Sequence, residues 1–474
     1  MQRLFQNLGW ILLLNLLTKP LWILTENAVQ NEVGHADFGR FAAVYAWAMI
    51  LASIADAGLN QYLTKTIAPN PEKYDQLFWT FLGTKGFLLS LYVLLCAVTG
   101  WLWGFSGQDL QLLIICAGIH AGIGGLFAVR AVFQGFQAFH WDGWSSVTDK
   151  ILLMLFLLLG LLSWKLTVSH YAWATFGITW GTVIGLSAVI YKRYGTGSIR
   201  FQWQTAGKLL RNSLPLALIT LLFTVNEHLN KILVQALAGD ETAGLFAGAY
   251  RWFGAFSMYL WTVLPVFYAQ FAKYQHEPRA RQQQLFNTAL TVVALPILYV
   301  TAVIQFHGEQ LFFLFHNSTA RELASMTEML KVLSLALLIN AYFNVFSTYL
   351  TATGKEKYVN YLLILAILIG NGFNIVFIPF LGGIAAAWGL VMAFGLLSIG
   401  YLAYFQRKTV LKIPLKLLAK VLSLTLVFGI TFWCIEWCLP LRAWWLKSGL
   451  AGLILVALVF LFKLIPTTLK FKSE

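Results

Sequence analysis

Charged side chains set inside long apolar runs are the residues of this chain whose types and spacing could do chemistry. In the first run Asn15, Lys19, Trp22 and Glu26 recur at i, i+4, i+7 and i+11, one face of a helix. Moving 205 positions along gives Thr220, Thr224, Glu227 and Lys231, a polar stripe on a second apolar run. Lys85, the stripe Arg130, Gln134 and Gln137, and Arg251 follow in other runs. By expected depth the cations form a ladder, with Lys85 and Arg130 toward one membrane face, Lys19 in the middle, and Lys231 and Arg251 toward the other. A charge at membrane depth is costly, so each must face a partner or a wet cavity. A cationic ladder suits an anionic headgroup, and arginine suits phosphate through its planar fork. Two plainer readings stand beside this one. Lys85 and Arg130 could snorkel to the interface, and Glu26 could simply pair with Lys231 between two halves of the molecule.

The remaining polar groups are open in the same way. Asp56, in Ile54-Ala55-Asp56-Ala57-Gly58-Leu59, could hold a coupling Na+ or H+, or cap a helix break at Gly58. Glu26 and Glu227 are the other candidates for ion coupling or for pairing between lobes. His120 and His228 could titrate, but a lone intramembrane histidine is more often a packing residue. Gln134, Asn344, Asn371 and Asn374 could contact sugar hydroxyls or stitch helices together. Cys96, Cys116, Cys434 and Cys438 all lie in apolar segments and read as packing residues, with no metal site. No phosphate-binding loop and no His-Glu-x-x-His occurs, and no large loop carries paired acids. No cofactor is expected, and neither is an enzyme.

The elements that must position these residues are membrane-spanning helices. Of 474 residues 59% are hydrophobic and 11% charged, against about 25% charged in soluble domains. Mean hydropathy is +0.71. Only helices that satisfy their own backbone can fill a bilayer with such a chain. Fourteen apolar runs are spaced as spans, near 9–30, 40–63, 78–103, 110–135, 147–164, 171–191, 212–237, 244–270, 286–306, 329–353, 358–380, 383–405, 417–438 and 444–465. The net charge of +14 sits in short loops on one side, among them Lys65, Lys73, Lys192, Arg193, Arg279 and Arg407. This reads as a positive-inside topology with both termini cytoplasmic, and as contact with anionic membrane lipids rather than nucleic acid. Phe38-Gly39-Arg40-Phe41-Ala42-Ala43-Val44-Tyr45-Ala46-Trp47 returns as Ala243-Gly244-Leu245-Phe246-Ala247-Gly248-Ala249-Tyr250-Arg251-Trp252. Gly, Phe, Ala, Tyr and Trp recur in register, which marks a parallel internal repeat. The expected organisation is all-α: a six-helix lobe over 1–200, a second over 201–410, and two further helices with a basic tail over 411–474.

The chain resembles the polysaccharide-export flippases of the multidrug/oligosaccharidyl-lipid/polysaccharide exporter superfamily. The resemblance rests on the 6+6+2 plan and on four stretches: Gly39-Arg40-Phe41, Ala55-Asp56-Ala57-Gly58-Leu59, Arg130-Ala131-Val132-Phe133-Gln134-Gly135 and Ala352-Thr353-Gly354-Lys355. It implies two lobes that rock to give alternating access. It also implies a bacterial inner-membrane location and a lipid diphosphate-linked oligosaccharide as substrate, for surface polysaccharides such as the O-antigen of lipopolysaccharide. Lys19, Lys85, Arg130, Lys231 and Arg251 would receive the diphosphate, with other membrane proteins of polysaccharide assembly as partners. Coupling to a sodium or proton gradient is common in that superfamily. The alternatives are an ion-coupled exporter of small drugs or metabolites, for which the basic excess is a poor match, and a membrane scaffold for a glycan-assembly complex.

Overall fold

A computed structural model describes residues 2–462 apart from 57–58, 68–70, 106, 164, 196–200, 275–276, 410 and 439–442. Some further side chains lie outside the described residues, among them those of Lys19, Asp56 and Glu227. Every regular element among the described residues is a helix. In order they are α1 (Gln2–Val33), α2 (His35–Asp56), α3 (Leu59–Ile67), α4 (Tyr74–Trp103), α5 (Gln108–Gly135), α6 (Phe139–Ser145), α7 (Thr148–Ser163) and α8 (Val168–Tyr194). There follow α9 (Trp203–Lys273), α10 (Arg279–His307), α11 (Ala320–Ala352), α12 (Glu356–Leu381), α13 (Gly383–Lys408), α14 (Leu415–Cys438) and α15 (Trp444–Leu461). Among the described residues ten stretches are long and apolar enough to cross a membrane. The other four expected spans fall on α1, on α2 with α3, and on the two arms of α9. The chain is an all-α, multi-pass membrane protein.

Three boundaries differ from expectation. The second span is not one helix, since α2 closes at Asp56 and α3 opens at Leu59. The fifth span is preceded by a separate short helix, α6, reached through Gln137 in the left-handed region at φ 56°. Gln137 therefore leaves the stripe of Arg130 and Gln134, because α5 has already ended at Gly135. The seventh and eighth spans form one helix of 71 residues, interrupted only where Gly239 takes φ 86°. One left-handed residue is enough to redirect the backbone, so no loop is needed there.

The chain packs as two compact units. The first is Met1–Gly248 with Leu314–Ser318, and the second is Ala249–Phe313 with Thr319–Glu474. In the first unit one core joins α3, α4, α5 and α8 through Leu63, Ile67, Phe81, Val132, Phe133 and Ile190. A second core joins α2, α4, α5, α7 and α8 through Val44, Tyr92, Cys116, Leu157 and Tyr171. In the second unit Phe271, Phe286, Phe346, Tyr349 and Phe405 form a ring cluster between α9, α10, α11 and α13. Leu298 of α10 packs with Leu424, Phe428 and Phe432 of α14 and with Leu455 of α15. Glu436 ties that hairpin down, with His307 at 2.9 Å and Lys447 at 2.9 Å. Cys96 and Cys116 are buried as expected, whereas Cys434 and Cys438 are exposed on α14, the face left over once Phe428 and Phe432 turn inward.

The repeat extends beyond the sequence motif. Gly34, between α1 and α2, has φ 94°, and Gly239, 205 positions on, has φ 86°. Both have a positive φ that L-residues rarely adopt, at a cost of about 1–3 kcal/mol. Five residues after each lies a glycine pressed against the other repeat. A Cβ on Gly39 would overlap the backbone of Asp240 and Gly244, and one on Gly244 would overlap the His35 carbonyl. His35 and Asp240 are themselves repeat mates, so the contact is reciprocal, as a local twofold requires.

Candidate functional site

The end of the first unit that carries Lys65, Lys73, Lys192 and Arg193 is its basic end. There α5 is clamped on one face by Val129, Val132 and Phe133, all buried against α3, α4 and α8. Thr64 of α3 adds a hydrogen bond to the Ala131 carbonyl at 3.2 Å. The opposite face of the same turn carries Arg130 and Gln134.

Arg130 donates from Nε to Oδ1 of Asp142 at 2.7 Å. Gln134 donates from Nε2 to the second oxygen, Oδ2, at 3.1 Å. Asp142 sits on α6 and its side chain is only 5% exposed, whereas that of Arg130 is 23% exposed. Ser145 donates to the Asp142 carbonyl at 2.9 Å and helps close this short turn. Among the described residues neither Nη group of Arg130 has a hydrogen-bond partner. The guanidinium is therefore held by one edge and presents its other end, the two-pronged donor that matches a phosphate or carboxylate.

Lys85 of α4 is not at the interface. It is 2% exposed, and its Nζ donates to Oδ1 of Asn60 on α3 at 3.0 Å. Its Cε lies beside Gly124, six residues before Arg130 on α5, about 9 Å away along the helix axis. Snorkelling does not describe this lysine, because burial against α3 and α5 removes it from the interface.

The other predicted positions are dispersed. Glu26 accepts a hydrogen bond from the Tyr171 hydroxyl at 2.9 Å. Lys231 is half-buried on the first arm of α9 in the first unit, and Arg251 is half-buried on the second arm in the second unit. Asn344 donates to Asn340 one turn away at 2.6 Å, and Asn371 donates to the Ile367 carbonyl at 2.8 Å. Asn374 is buried between α12 and α13, where a Cβ on Gly389 would overlap its amide. These three asparagines are engaged in their own helices or in helix packing. The side chains of Lys19, Asp56 and Glu227 lie outside the described residues. No group of three or more potential metal ligands occurs among the described residues.

Sequence reasoning missed Asp142 and Asn60. Asp142 falls between two predicted spans, where it reads as a loop acid. A signal was present in Phe139-His140-Trp141-Asp142-Gly143-Trp144, aromatic residues close to an acid, which suits a short interfacial helix.

The profile of the polysaccharide biosynthesis protein family matches residues 4–275, more than half of the chain. The chain belongs to that family. The family match spans α1 to α9 and so contains the Arg130–Asp142 pair. No curated protein matches the chain by sequence. Among solved structures, the lipid II flippase MurJ in an inward closed conformation superposes with a TM-score of 0.72 at 14% identity, over 96% of this chain and 97% of MurJ. An inward-facing multidrug resistance MATE family transporter of the MOP superfamily gives 0.69 at 16% identity, over 82% and 94%. A MOP superfamily transporter from Pyrococcus furiosus gives 0.54 at 16% identity, over 85% and 95%. At these identities the likeness is one of fold. This member of the polysaccharide biosynthesis family thus shares its architecture with a flippase and with multidrug transporters.

Proposed function

We propose that the protein is a flippase that carries a lipid diphosphate-linked oligosaccharide across the bacterial inner membrane by alternating access. The basic end faces the cytoplasm, with both chain termini, because basic loops are retained on that side. The observation that carries the reading is Arg130, with Nε fixed by Asp142 and its two Nη groups unengaged at that end. The family match to polysaccharide biosynthesis makes a glycan cargo the natural one. Arg130 is the first contact for the diphosphate. Lys85 lies deeper and supplies positive potential rather than a contact, being buried on Asn60. Lys231 and Arg251 are later contacts, and Glu26, held by Tyr171, is the acid available to a coupling ion.

The test is a leaflet assay in cells lacking the protein. Lipid-linked oligosaccharide is quantified on each leaflet with a membrane-impermeant sugar-modifying probe. The reading expects accumulation on the cytoplasmic leaflet, reversed by the intact chain but not by Arg130→Ala at equal protein level. An unchanged leaflet distribution sinks it and moves an exporter of small molecules to first place.

A further inference from the structure

Asp142 does more at this site than hold α6 in place. A carboxylate facing an arginine ordinarily takes two parallel N–H groups. Here Oδ1 takes only Nε of Arg130, and Oδ2 is drawn to Nε2 of Gln134 one turn along α5 rather than to an Nη group. The acid is nearly buried and its position is fixed by α6, so it cannot swing to cover the rest of the guanidinium. The pair is electrically neutral, yet both Nη groups are without a hydrogen-bond partner among the described residues. A carrier must bind its cargo firmly enough to admit it and weakly enough to release it.

We propose that Asp142 is a positioning and charge-compensating residue for Arg130. It aims the guanidinium through Nε and cancels its charge, which keeps the grip on an incoming phosphate reversible. Gln134 keeps the fork open by holding the second carboxylate oxygen on its own side, away from the Nη groups. The inference rests on the reading that Arg130 receives the lipid diphosphate, and it adds the residue that sets how tightly that group is held.

Purified full-length protein in detergent is titrated with radiolabelled farnesyl diphosphate by equilibrium dialysis, with farnesol as the control for the tail. Asp142→Asn removes the charge, keeps an acceptor for Nε, and turns the second oxygen into an NH2 group that Gln134 meets with its carbonyl once its amide flips. It is expected to bind the diphosphate about tenfold tighter than the unaltered protein and, in the cellular leaflet assay, to slow the appearance of lipid-linked oligosaccharide on the outer leaflet. Gln134→Leu frees Oδ2 to capture an Nη group. It is expected to bind about threefold weaker, with thermal stability no lower than that of the unaltered protein. A purely structural pair predicts the reverse pattern, lower stability in both variants and no change in affinity. Affinity of Asp142→Asn equal to or below that of the unaltered protein overturns the inference. If that variant does not accumulate, Gln134→Leu decides, and unchanged affinity there overturns it. Binding of farnesyl diphosphate no better than farnesol, or unaffected by Arg130→Ala, instead overturns the headgroup reading itself, and this inference with it.

Discussion

The two ends of the first unit are joined by opposite kinds of chemistry. At the basic end, α5 and α6 meet through side chains: an ion pair, a shared carboxylate and a guanidinium left partly open. At the other end, α1, α2 and α9 meet through bare backbone, glycine against carbonyl. Polar side chains there only finish the seam. Gln30 donates to the Gly244 carbonyl at 2.7 Å and to Nδ1 of His35 at 3.0 Å. Since that nitrogen accepts, the ring proton sits on Nε2, which donates to Ser318 at 2.7 Å. Asn317 donates twice to Asn31, from its backbone N–H to Oδ1 at 2.8 Å and from Nδ2 to the backbone carbonyl at 3.1 Å. A backbone seam tolerates almost no change of shape, whereas an ionic cluster tolerates changes of shape better than changes of charge.

The contrast breaks first at the seam glycines. Gly39→Ala and Gly244→Ala each drive a methyl into backbone that cannot rotate aside, with an expected loss of about 3 kcal/mol each. Thermal unfolding of the purified variants measures it, and a loss below 1 kcal/mol would show that the seam can spread. Gly34→Ala and Gly239→Ala have open space around the new methyl and pay only for the positive-φ backbone, so about 1–3 kcal/mol is expected from the same melts. Equal losses at all four glycines would mean that backbone conformation, not contact, dominates. Gln30→Leu removes hydrogen bonds but no backbone contact, and about 1 kcal/mol is expected. At the basic end Arg130→Lys keeps the charge and loses the fork. Its stability should stay within about 0.5 kcal/mol of the parent while export in the leaflet assay falls severalfold. A drop in stability without a drop in export would assign the pair to folding alone.

How much of this was legible in the sequence depends on the kind of contact. Gly39 and Gly244 were visible because aromatic residues around them recur in register. Gly34 and Gly239 lie in the same register, with Gln30 and Gln235 repeating just before them, but backbone sign is not written in residue type. The spans were visible from apolar length, but the α6 helix was not, since seven residues carry too little periodicity. Arg130 and Gln134 were found by their spacing, because i and i+4 share a face. Their partner Asp142 was not, because a turn with Gln137 at positive φ folds it back onto that face. For Lys85 the depth along the chain was readable, while the direction of the side chain, toward α3 and Asn60, depends on tertiary packing.

The clamp on the last hairpin has a consequence for how the chain is made. Among the described residues Glu436 has two cationic partners, Lys447, which emerges from the ribosome after it, and His307, which is made earlier but is charged only when protonated. Until α15 arrives, α14 holds an acid whose compensation is incomplete. The two helices should therefore settle into the bilayer as a pair, and a nascent chain arrested before Trp444 should be recognised as unfinished and degraded. Pulse-chase turnover of such an arrested chain, compared with the same chain carrying Glu436→Gln, would reveal this checkpoint, because the neutral variant should outlive the acidic one.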